Sequence, residues 1–163
     1  MDPTRVAIWG ASAGAHLAAL AAFDSPLPVR ALVGWFGAYD LSTLLADASY
    51  PDIAAAAGKL LGCAPAECSR AVSQAASPLA RLGRRAPASL LIHGDDDRVV
   101  PPAQSVAMAE ALRRQGAEVG LVLIPAVGHG LVGSELAVTR AANRRALEAN
   151  VTFLDRTLQG REE

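Results

Sequence analysis

A serine hydroxyl is a poor nucleophile until a sharp turn projects it into a cleft beside a base. Gly10-Ala11-Ser12-Ala13-Gly14 has the residues for such a turn. The pattern G-x-S-x-G gains meaning from its context, because an apolar run precedes it and strong helix formers follow. Ser12 is then forced outward, while small residues at 10, 11 and 14 spare the backbone a clash. The amide of Ala13, at a helix N-terminus, faces the cleft and can stabilise a developing oxyanion. The plain alternative is that Ser12 only caps the helix in a turn of small residues. Other glycine chemistry fails on inspection: position 12 is not glycine, which breaks a dinucleotide fingerprint, and no Gly-Lys-Ser/Thr follows to make a phosphate loop.

Acid and base candidates come later, in the chain order that this geometry requires. Asp95, Asp96 and Asp97 stand directly after the apolar run Ala88 to His93, at the sheet edge where α/β sites lie. His129 sits in Gly128-His129-Gly130, after the last strand-like segment, where glycines on both sides let the imidazole reach back to Ser12. Asp95 and Asp96 have a structural reading as well, as caps on backbone amides of the turn or of the helix that starts at Pro101. His16 and His93 read as structural members of the helix and strand cores. Three histidines without a ligand-spaced set disfavour a metal hydrolase, and the sequence calls for no metal and no cofactor.

The elements that must position these groups alternate. Strands are predicted at Arg5–Trp9, Val29–Trp35, Ala88–His93 and Glu118–Ile124, apolar enough to be buried on both faces. Helices follow at Ala13–Phe23 and Pro101–Gln115, the second stopped by Gly116. A last helix over Ser134–Leu158, ended by Gly160, places Leu147, Val151, Leu154 and Leu158 on one buried face. The fold class is therefore α/β: a mainly parallel sheet of about four strands flanked by helices, in one domain over residues 1–163. Between Ala38 and Pro87 the alternation lapses. Two short helices, Asp52–Leu61 and Pro65–Ala75, are expected there as an insertion that caps the site, with Leu44, Leu45, Leu60 and Leu61 toward an acyl pocket.

Composition sets the outer limits. The 163 residues carry 15 basic and 16 acidic side chains, a net charge of −1, and 52% apolar residues, which excludes disorder and a basic field for nucleic acid. Lys59 is the one lysine among the basic residues, and the Arg84–Arg85, Arg113–Arg114 and Arg144–Arg145 pairs read as solvated faces. No apolar stretch is long enough to span a bilayer, and the start lacks an apolar signal region, so a cytoplasmic protein is expected. Cys63 and Cys68 read first as small hydrophobes in a mobile region and second as a local disulfide.

With these motifs in place, the chain resembles the α/β-hydrolases, close to the hormone-sensitive-lipase and feruloyl-esterase-like carboxylesterases. Their G-x-S-A-G-x-H-L, H-G-x-x-D-x-x-V-P and G-H-G motifs stand here as Gly10–Leu17, His93–Pro101 and Gly128–Gly130. The likeness runs almost from Met1 to Leu158. It implies Ser12 as nucleophile, His129 as general base and Asp97 as the acid that orients His129, with Asp96 the alternative acid.

The family also carries strands ahead of the nucleophile and a His-Gly-Gly loop that gives the second oxyanion donor. Only eleven residues precede Ser12, so that loop is expected to be absent, at a loss on the order of 10²–10³ in rate unless another group substitutes. The first reading is a serine carboxylesterase acting on small-molecule esters of short acyl chain. A silent fragment serving assembly or binding, and a related serine peptidase or amidase, are the alternatives. The apolar strand edge at Arg5–Trp9 leads to an expected homodimer or higher homo-oligomer.

Overall fold

The computed structural model describes residues 2, 4–83 and 86–159. Arg84, Arg85 and Gly160, on which two of the expectations above fall, lie outside the described residues.

Four strands, β1 (Val6–Ala11), β2 (Val29–Trp35), β3 (Ala88–Gly94) and β4 (Val119–Ile124), form one parallel sheet in the order of the chain. The interior strands β2 and β3 are buried along most of their length, as continuous Val, Leu and Ile runs require when helices cover both faces. On one face lie α1 (Ala13–Asp24) and α5 (Ala103–Arg114), whose Ala15, Ala18, Ala19, Ala22, Met108 and Leu112 pack with Leu32 and Leu91. The alanines let α1 lie close to the sheet. The other face is covered by α6 (Leu136–Gln159), which contributes Ala142, Ala146 and Phe153 to a core with Val33, Trp35 and Ile92. Among the described residues no helix is long and apolar enough to cross a membrane.

The link from β2 to β3 holds three short helices where two were expected. They are α2 (Leu41–Ala46), α3 (Pro51–Leu61) and α4 (Arg70–Ala76), followed by a 3₁₀ turn at Pro78–Arg81. Helix α2 starts at Asp40, whose carboxylate accepts from the N–H groups of Ser42 and Thr43. Helix α4 begins five residues later than expected, because Ser69 caps it and the segment before it is tied down by a Cys63–Cys68 disulfide across a Cα–Cα distance of 5.2 Å. The cysteines are thus a local bridge and not two free hydrophobes.

The strand-to-helix turn after β1 depends on one glycine. A Cβ placed on Gly10 would stand 2.1 Å from the carbonyl oxygen of Gly14 and 2.7 Å from the Ala15 nitrogen, both backbone atoms that cannot swing aside. Gly14 itself has open space where a Cβ would go, so its smallness is not what the turn needs. Gly10→Ala is expected to destabilise the chain by about 3 kcal/mol or more, since overpacking against backbone leaves no rotamer to relax. Urea unfolding measures this, with Gly14→Ala as the tolerated control.

Candidate active site

Ser12 stands between β1 and α1 with φ 53° and ψ −125°, a conformation that a non-glycine residue holds only under constraint. Two features fix it there: its N–H donates to Trp35 O of β2 at 2.9 Å, and the Ala15 N–H donates to Ser12 O at 2.9 Å. The side chain makes no capping bond to α1, so the helix-cap reading of Ser12 does not describe it. Its Oγ lies 2.9 Å from His129 Nε2 instead.

His129 begins a single 3₁₀ turn, His129–Leu131, after β4. Gly130 takes φ 73°, in the left-handed region that glycine adopts without penalty, and Gly128 is extended. The ring sits edge-on to Phe36, with centroids 4.9 Å apart, and Phe36 packs in turn against Trp35. Its other nitrogen, Nδ1, is 2.8 Å from Asp97 Oδ2. A carboxylate only accepts, so Nδ1 carries the proton and Nε2 is left to accept from the Ser12 hydroxyl. Two hydrogen bonds therefore join residues that are 117 and 32 positions apart in the chain.

The three aspartates separate by environment. Asp97, between β3 and α5, has a fully buried side chain. Its Oδ1 accepts from the N–H groups of Val99 and Val100 at 2.8 and 2.9 Å, and its Oδ2 faces His129 and His93. Burial alone would push this carboxyl up, and the hydrogen bonds from His129, His93, Val100 and Val99 more than reverse that, holding it well below the usual carboxylate range. Asp96 is 63% exposed and bonded to Arg98, and it is Asp97 that is bonded to His129. Asp95 accepts from Ala126 N–H at 2.8 Å, a structural bond to the loop after β4 and not to its own turn or the Pro101 helix as expected.

His93 does more than fill the core. Its Nε2 is 3.1 Å from Asp97 Oδ2 and 3.0 Å from Val100 O, both acceptors, so Nε2 carries the proton and donates. Its Nδ1 is 2.7 Å from Ser105 Oγ at the start of α5. A buried ring pinned at both ends thus holds the carboxylate that orients His129. The sequence placed His93 in the strand core and carried no pattern that marks this partnership. Tyr50, from the insertion, donates its hydroxyl to Asp97 O at 3.4 Å.

Beside Ser12 lies a cavity of about 290 Å³ between α1 and the insertion. Ala13 is on its wall, and the Ala13 N–H, at the first position of α1, makes no hydrogen bond among the described residues. It is free to donate to an oxygen bound at Ser12. Leu44 and Leu60 line the cavity together with Ile53, Leu41 and Val100. Leu45 and Leu61, expected there too, pack instead against the small core formed by Ala38, Leu41 and Leu44. A larger depression of about 540 Å³ beside α2 and α4 contains none of Ser12, Asp97 and His129.

A serine on a strained strand-to-helix turn, an acid after β3 and a histidine after β4 of a parallel sheet define the class: the α/β-hydrolase fold. Within that class the chain belongs to the prolyl oligopeptidase family, whose profile matches residues 1–161. Esterase LipC of Mycobacterium tuberculosis (strain ATCC 25618 / H37Rv) is 34% identical over 146 residues, covering 79% of this chain and 35% of LipC. Esterase LipQ of the same organism is 32% identical over 166 residues, covering 94% of this chain and 38% of LipQ. The chain thus spans little more than a third of the length of these relatives. Among solved structures, the acylaminoacyl peptidase of Pyrococcus horikoshii superposes with a TM-score of 0.82 at 24% identity, over 99% of this chain and 25% of the peptidase. A puromycin-hydrolyzing peptidase of Mycobacterium tuberculosis gives a TM-score of 0.78 at 28% identity, over 96% of this chain and 22% of its own.

Proposed function

We propose that this chain carries the reacting groups of a serine carboxylesterase that hydrolyses small, short-acyl esters through an acyl-enzyme on Ser12. The observation that carries the reading is the Ser12–His129–Asp97 relay, with both hydrogen bonds under 3 Å, opening on an apolar cavity. In the first half-reaction His129 Nε2 takes the hydroxyl proton as Ser12 Oγ bonds to the ester carbonyl carbon, and the Ala13 N–H donates to the resulting oxyanion. The ester C–O bond then breaks, and the proton on Nε2 goes to the departing alkoxide, which leaves as alcohol. Water then attacks the acyl-serine as the same nitrogen takes its proton, the acyl C–Oγ bond breaks with release of the acid, and that proton returns to Ser12 Oγ. Asp97 remains ionised and holds the imidazole in the tautomer that both steps need.

The esterase names of the relatives support this substrate class. The family match and the two peptidases support a second reading, in which the same groups cleave an amide and the proton goes to the leaving amine. A burst of nitrophenol from 4-nitrophenyl acetate, followed by steady turnover, is the expected result for the esterase. Turnover of an acyl anilide without turnover of any ester favours the amidase.

Cavity shape gives a sharper test of the acyl assignment. Leu60 lines the cavity and is 67% exposed, so an indole there fills space without a large stability cost. Leu60→Trp is expected to shift the preference toward acetate over hexanoate esters by about tenfold in kcat/KM, the scale of a few methylenes of apolar contact. An unchanged chain-length profile would place the acyl group elsewhere.

We also propose that β1 pairs with a second copy of the chain. It is an edge strand, and Trp9 on it is 57% exposed. Light scattering across a dilution series is expected to show a dimer, and a monodisperse monomer of undiminished specific activity would remove the idea. Cytoplasmic residence and a persistent Cys63–Cys68 bridge pull in opposite directions, because reducing compartments keep thiols free. Counting free thiols in the protein from its native source decides between them.

A further inference from the structure

Of the side chains that line the cavity beside Ser12, two are polar: Ser12 itself and His16, one helical turn along α1. His16 is 7% exposed, and its Nδ1 lies 2.9 Å from Ala38 O. A carbonyl can only accept, so Nδ1 carries the proton. Burial lowers the imidazole pKa below its ordinary value, an effect the Ala38 bond only partly offsets, so the ring is neutral at neutral pH. Nε2 is then a bare acceptor. It has no hydrogen-bond partner among the described residues, and it is not one of their sealed, unpartnered polar atoms, which are Trp35 Nε1, Tyr39 Oη and Asn150 Oδ1. His16 lines the cavity, and Nε2 is the polar atom of its side chain left to offer a ligand there.

Such an acceptor is costly beside a purely apolar ligand. An alkyl chain that fills the cavity shuts Nε2 off from solvent and gives it no hydrogen bond, whereas a ligand with a donor does. Sites built this way discriminate against the isostere that lacks the donor. We infer that His16 is a specificity-determining residue, its Nε2 accepting from a hydroxyl or N–H group carried by the acyl part of the substrate. The inference rests on the reading above that this cavity receives the acyl group.

Two isosteric pairs of 4-nitrophenyl esters test it, each rate divided by the rate of the same ester in buffer. The first pair is 3-hydroxybutyrate against 3-methylbutyrate, in which a methyl replaces the hydroxyl. The second is N-acetylglycinate against 4-oxopentanoate, in which a methylene replaces the N–H. The parent is expected to favour the donor-bearing member of at least one pair by about three- to tenfold in kcat/KM, the scale of one neutral hydrogen bond. The pair that shows the preference tells hydroxyl from N–H recognition.

His16→Asn retains an amide N–H for Ala38 O but has no atom at the Nε2 position, and it is expected to bring that ratio to about one. General damage to the fold lowers both members of a pair together and leaves the ratio in place. Ratios near one in the parent overturn the inference even if the variant does not fold, and so does a preference that His16→Asn retains. A folded parent that hydrolyses no ester contradicts the esterase reading instead. In that case titration with 3-hydroxybutyramide and 3-methylbutyramide, and with the matching N-acetylglycinamide pair, reads the same preference as affinity, and equal affinities overturn it.

Discussion

Ser12→Ala is expected to lower ester hydrolysis about 10⁴-fold or to the buffer rate, with an unchanged circular dichroism spectrum. The size follows from the relay, since nucleophile and base act as a unit and the oxyanion donor alone supports little chemistry. The retained fold follows from the place of the side chain. The Ser12 hydroxyl makes no cap on α1, and among the described residues its one hydrogen bond is to His129. The turn is held by backbone bonds to Trp35 and from Ala15, which an alanine keeps. His129→Ala should be comparably damaging. Residual activity near the parent level in folded Ser12→Ala would mean that another residue or a contaminant does the chemistry.

Asp97→Asn is the second large effect, at about 10⁴-fold in kcat, against a change within about twofold for Asp96→Asn. An asparagine at 97 presents an NH₂ where His129 Nδ1–H needs an acceptor, or turns that group onto the Val99 and Val100 amides. Either outcome costs a hydrogen bond and frees the imidazole to take the wrong tautomer. Asp96 loses only an exposed pairing with Arg98. The reverse ranking would move the acid one position upstream.

Stability supplies an independent reading of the same residue. The folded pKa of Asp97 is depressed below the ordinary 3.8, so its stabilising contribution is present above about pH 4 and is lost as pH falls through the folded value. The melting temperature of Asp97→Asn should therefore fall less steeply below pH 4 than that of the parent, as thermal scans across that range would show.

What the sequence made legible divides along physical lines. Strands β2 and β3 were readable because burial on both faces writes an uninterrupted apolar run, and α1 because thirteen to twenty-three is nearly all strong helix former. Ser12 and His129 were readable because glycines mark the turns that aim them. Among the aspartates, residue type alone left the acid open. What separates Asp97 is two backbone donors and two histidines that only the folded turn gathers.

The insertion was read less well. The Asp40 cap before Leu41-Ser42-Thr43 is a helix-start signal in a helix too short to show periodicity. Leu45 and Leu61 look in sequence like Leu44 and Leu60, and helix rotation sends one of each neighbouring pair to the cavity and the other into packing. His93 was read as core, which it is. Its second role depends on a contact four residues along a non-helical turn, where no periodic pattern points.

The most direct test of Ser12 as the acyl-accepting nucleophile is covalent. Diisopropyl fluorophosphate transfers its phosphoryl group to an activated serine oxygen with loss of fluoride, and peptide mass spectrometry locates the adduct. The expected result is one label per chain, on the peptide that contains Ser12, with activity lost in proportion and no labelling of His129→Ala. Labelling of a different residue, or full hydrolytic activity in a chain whose Ser12 carries the label, would contradict the assignment.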